Sequence, residues 1–132
     1  MEELSYKAKV SVVKLLSEIL NADKKVHENE VKYLDEVTKS LNLNDNYKEE
    51  VDALLTLEAL ATVRTLSVDQ KREIAKMMGK MIVVDNDINY NEVKLYNAFC
   101  ESCDIENDFN VDDYSDVTLS GPFVNPEDIM NM

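Results

Sequence analysis

Apolar residues recur along this chain with a helical period. Leu4, Ala8, Val12, Leu15, Leu16 and Ile19 form one stripe, with Lys7, Ser11, Lys14 and Glu18 on the other side, and predict a helix within residues 4–22. A second stripe, Val31, Leu34, Val37 and Leu41, predicts the next helix. Residues 47–66 carry Val51, Leu54, Leu55, Leu57, Leu60, Ala61 and Leu66, which read as two short helices broken near Thr56. Ser67-Val68-Asp69-Gln70 has the form of a capping box, in which the Ser and Gln side chains bond each other's backbone N–H. The helix it opens presents Ile74, Met77, Met78, Met81 and Ile82. A last strong helix follows Asn89 and shows Val93, Tyr96, Phe99, Cys100 and Cys103. The methionines sit at helical spacing and read as core filler. The fold expected is all-α, a single-domain bundle of about six to seven helices.

A repeat underlies this pattern. Asp23-Lys24-Lys25-Val26-His27-Glu28-Asn29-Glu30-Val31-Lys32 aligns with Asp85-Asn86-Asp87-Ile88-Asn89-Tyr90-Asn91-Glu92-Val93-Lys94 at a constant offset, since 85 − 23 = 62 and 92 − 30 = 62. Leu20 pairs with Ile82 upstream, and Leu41 with Cys103 and Leu43 with Ile105 downstream. The chain therefore holds two helix–loop–helix pseudo-repeats. Each residue in the loops has a structural role available. The first Asp shapes a turn after a helix end, and Val26 or Ile88 fills an apolar slot. Asn89 with Glu92 forms Asn-x-x-Glu, a capping box, while His27 with Glu30 is its weaker counterpart.

An EF-hand reading fails on ligand count. With Glu92 at the twelfth position, Asp85 falls at the fifth, but the first and third positions fall on Met81 and Val83. The corresponding places in the first unit hold Ile19 and Asn21. Too few oxygens remain to replace the water around calcium.

Ala22-Asp23-Lys24-Lys25-Val26-His27-Glu28-Asn29-Glu30 and Val84-Asp85-Asn86-Asp87-Ile88-Asn89-Tyr90-Asn91-Glu92 resemble the loop motif of the TerB-like family, named for a tellurite-resistance protein and also found in DnaJ-like co-chaperones. Lys24 and Asn86 stand where that motif has glycine, and Val84 where it has alanine. The resemblance covers residues ~4–105 by helix order and spacing, within a helical domain expected over residues 1–105. It implies a non-enzymatic stress-response or regulatory module acting through a protein partner. Carried over residue by residue, it nominates Asp23, Glu30, Asp85 and Glu92 as ligands of a divalent cation, magnesium or calcium. Asp87 is an added acid in the second loop. The competing expectation is a purely structural helical scaffold whose acids only cap helices.

Charge and composition narrow the partners. With 14 Lys+Arg against 27 Asp+Glu in 132 residues, the net charge is −13. That balance argues against nucleic acid and against anionic membrane surfaces, whose recognition depends on cations. Residues 106–132 hold seven acids and no base, and are expected to form an acidic extension packing partly on the body. Phe109, Tyr114, Leu119, Phe123 and Ile129 supply its apolar anchors, and Asn125-Pro126 is a candidate start for a last short helix. Two cysteines with no secretory leader suggest a reducing cytoplasm. Cys100-Glu101-Ser102-Cys103 has redox or zinc spacing, but the pair lies late in a helix on its apolar stripe and reads as buried structural cysteine. His27 is the single histidine and has no nucleophile beside it, so no catalytic residue is assigned.

Overall fold

Helix α1 (Tyr6–Leu20) is buried around most of its circumference, with Lys7 exposed on the remaining face. Its buried residues are Ala8, Val10, Ser11, Val12, Val13, Leu15, Leu16, Ile19 and Leu20. At 3.6 residues per turn these side chains cover more than half of the circumference, and Lys7, Lys14 and Glu18 share the face that is left. The helix accordingly touches each of the others: α2 (Glu28–Ser40), α3 (Tyr47–Ala53), α4 (Thr56–Arg64), α5 (Val68–Val83) and α6 (Tyr90–Cys103). The computed structural model describes residues 3–22, 28–84, 87–106 and 118–120, with backbone alone for 87, 88 and 118–120. Among these residues the architecture is a six-helix bundle with one short two-stranded ribbon.

The one-sided stripe expected for α1 is corrected by Ser11, which belongs to the polar side on paper and is fully buried. Its hydroxyl donates to the Lys7 carbonyl at 2.7 Å, so the group enters the core already satisfied. Leu15, Leu16 and Ile19 are fully buried too. Each such side chain contributes about 1.5–3 kcal/mol relative to exposure.

The repeat extends beyond the loops. Ser5 caps α1 by accepting the Ala8 N–H at 3.2 Å, and Ser67 caps α5 by accepting the Gln70 N–H at 3.1 Å. Gln70 reaches back to the Ser67 N–H at 3.0 Å, completing the expected box. The two caps share the offset, 67 − 5 = 62. Among the described residues, the two non-glycine positions with positive φ share it as well: Asn42 at 56° and Asp104 at 57°, with 104 − 42 = 62. Asn and Asp are the side chains that best tolerate a left-handed turn past a helix end. Each unit thus runs from a serine cap to a left-handed stop.

Helices α3 and α4 join the units as an elbow bent at Leu54-Leu55, beside the expected break at Thr56. The elbow is pinned to α1 at two places. Tyr6 donates its hydroxyl to Glu50 at 2.6 Å, and Thr56 donates to Glu18 at 3.0 Å. The stripe expected over 47–66 is only half right. Leu55 and Leu57 are exposed, and Ala59 and Val63 face the core instead.

The ribbon was not legible in the sequence. Strand β1 (Asp87–Asn89) pairs in parallel with β2 (Thr118–Ser120), with Ile88 opposite Leu119. A parallel pair needs a long crossover, and α6 lies within it. The acidic extension therefore returns to the body through backbone pairing at 118–120. Phe109, Tyr114, Phe123, Ile129 and the helix start at Asn125 lie outside the described residues.

The left-handed stops yield a test. Asp104→Gly should leave stability nearly unchanged, whereas Asp104→Val should lower it by about 1–2 kcal/mol, the cost of a left-handed backbone with a Cβ in the way. Asn42 should behave alike. Equal urea midpoints for the Gly and Val variants would remove this role.

Candidate functional site

The second helix of each unit starts at a matching residue, Glu28 in α2 and Tyr90 in α6 (90 − 28 = 62). Glu30 and Glu92 fall in the first turns, and both point inward, at 0% and 2% exposure. The buried side of α2 runs Glu30, Tyr33, Val37 and Thr38; that of α6 runs Glu92, Tyr96, Phe99, Cys100 and Cys103. A carboxylate heads each core stripe. Burying a charge costs several kcal/mol unless donors or a cation compensate it. The positive end of the helix dipole lowers that cost for an acid in the first turn.

This placement revises two expectations. The α2 stripe is led by Glu30 and Tyr33, and Val31, assigned to it from the sequence, is 40% exposed. The cap at Asn89 is made on the Asn91 N–H at 2.8 Å, one position earlier than a capping box makes it. The spacing 30-33-37-41, read with glutamate admitted to the apolar set, carried the signal.

The loop ends of the two units lie near each other. The Lys80 ammonium, in the last turn of α5, sits 5.3 Å from the centre of the Tyr33 ring in α2, a favourable cation–π distance. The end of α5 that leads into the second loop thus rests on the part of α2 that leaves the first. Of the five nominated acids, Glu30 and Glu92 are placed by the structure. Asp23 and Asp85 lie outside the described residues, as do Val26, His27 and the side chains of Asp87 and Ile88. Among the described residues no group of three or more His, Cys, Asp or Glu side chains could hold a metal ion. Glu30 and Glu92 are hard oxygen donors of the kind magnesium and calcium take, but two carboxylates fall short of the six to eight oxygens that calcium binds. The remaining donors would have to come from Asp23, Asp85 and Asp87.

Cys100 and Cys103 are free and buried, as their stripe predicts. The Cys103 thiol faces the Leu60 carbonyl at 3.6 Å. Burial, and then repulsion from Cys100, push it up from 9.0 to about 11. It is a neutral core side chain at neutral pH, without the thiolate that makes a cysteine nucleophilic. No helix among the described residues is long and apolar enough to cross a membrane.

Comparison with known proteins reaches the fold and stops there. No family model matches the chain, and no curated protein matches it. Its fold is similar to the crystal structure of a protein of unknown function, PG1108, from Porphyromonas gingivalis. The TM-score is 0.69 at 19% identity, covering 81% of this chain and 84% of that one.

The thiols give a two-part prediction. A bulky maleimide should label Cys100 and Cys103 in the native protein far more slowly than in urea, and fast native labelling of both would contradict their burial. Because the folded thiol ionises at higher pH than the unfolded one, Cys103 contributes stability below pH 9.0 that is lost as pH rises toward about 11. Cys103→Ala should flatten this part of the alkaline limb in a melting-temperature series.

Proposed function

We propose that the chain is a non-enzymatic, cytoplasmic interaction module of the TerB-like kind, serving stress response or regulation. Its two loops bind a divalent cation weakly, and a protein partner reads the result. The observation carrying this reading is the pair of repeat-equivalent glutamates, Glu30 and Glu92, each buried at the start of the helix that follows a loop. A helix start needs a capping acid only at its surface. Both units instead turn an oxygen donor inward, a few residues along the chain from Asp23, Asp85 and Asp87. The net charge of −13 favours cations over nucleic acid as partners.

The alternative is a purely structural scaffold in which these acids only anchor their helices. It is favoured by the place of both acids in the first turn, where the helix dipole lowers the cost of a carboxylate.

Thermal melting separates the two. On the cation reading, millimolar magnesium or calcium should raise the melting temperature above that in sodium chloride of equal ionic strength. Glu30→Gln with Glu92→Gln should abolish the difference. On the scaffold reading, divalent and monovalent salt act alike, and the double variant shifts the melting temperature equally in both.

A further inference from the structure

A groove of about 290 Å³ runs between α1, α2 and α3. Val13, Val31, Leu34, Tyr47 and Val51 give it an apolar lining, and Asp35 and Asp52 stand among its walls with Lys48. We propose that it is the docking site for a basic amphipathic helix of a partner protein. This deepens the interaction-module reading and rests on it.

Three observations converge on that occupant. The first is shape and chemistry: an apolar trough between helices receives the apolar side of another helix, anchored at positions three and four residues apart. At this size it takes a few side chains rather than a drug-sized ligand.

The second is an internal comparison between the units. Val31 and Leu34 correspond to Val93 and Tyr96, since 93 − 31 = 62 and 96 − 34 = 62. Tyr96 is 1% exposed and Val93 is half-buried, whereas Val31 is 40% exposed and Leu34 only partly buried. The same face is more covered in the second unit than in the first.

The third is charge. Asp35 and Asp52 line the groove against the single Lys48, on a chain whose net charge is −13. A helix flanking its leucines with lysine or arginine is attracted and oriented by that field. A second copy of this chain brings −13 of its own, and the acidic extension brings −7, so neither suits the walls.

The probe is a pair of synthetic peptides of roughly 18 residues, long enough for helix formation. They share one leucine stripe and carry either lysine or glutamate elsewhere. Each is titrated into the full ¹⁵N-labelled chain. The lysine peptide is expected to shift amides around Val31, Leu34, Tyr47 and Val51, and the glutamate peptide none. Val31→Glu, at an exposed position, should leave the melting temperature in place and weaken lysine-peptide binding at least tenfold, although it adds a negative charge. Equal or tighter binding to Val31→Glu would show bare charge attraction and overturn the proposal. So would shifts centred on Leu55 and Leu57, or a dimer in ultracentrifugation that Val31→Glu dissociates. Absent peptide shifts remove the groove and leave the cation reading intact; indistinguishable magnesium and sodium melts do the reverse.

Discussion

The burial of α1 around most of its circumference is the constraint on which the rest of this molecule depends. A helix apolar on one side needs one neighbour, but a helix with Ala8, Val10, Val12, Val13, Leu16 and Ile19 all buried needs a sleeve. Two helix–loop–helix units cannot supply it alone, because α1 belongs to one of them. The elbow of α3 and α4 closes the remaining side, which is why polar ties from Tyr6 to Glu50 and from Thr56 to Glu18 fix it to α1. The hydroxyl of Tyr6 ionises at higher pH than a free tyrosine because it donates to the Glu50 carboxylate. Deprotonation would set two negative oxygens against each other at that joint.

The buried glutamates are the exception within this apolar scheme, and the repeat explains their pairing. Glu30 and Glu92 hold equivalent places because the helix starts and left-handed stops of the two units share one offset. The cores of the units have diverged around them. Val37 is matched by Phe99, Thr38 by Cys100 and Leu41 by Cys103, and the carboxylate is the part held in common. Geometry has been kept while packing volume was traded.

Much of the fold was legible because helical periodicity and caps are local signals. Ser67 and Gln70 announce their own hydrogen bonds, and the cysteine stripe of α6 reports its burial directly. The failures are non-local. Ser11 was read as part of the polar side and Glu30 as a helix-start cap, yet both are buried by neighbours far along the chain. Leu55 and Leu57 were read as core although their positions at the elbow turn them to solvent. The pairing of 87–89 with 118–120 left no trace, since three residues are too few for an alternating pattern to emerge. At the candidate site the residue types were visible, but inward burial of the two glutamates depends on helix rotation that no motif encodes.

The enclosure of α1 also has a temporal side. During synthesis this helix leaves the ribosome first among the six, yet α5, which packs along it, lies 62 residues later. At synthesis rates of ~5–20 residues per second, that delay is roughly 3–12 s. Throughout it the most apolar helix of the chain has only part of its covering available. The nascent protein is thus most adhesive at its beginning, in a crowded place, before the helices that make it inert have been made.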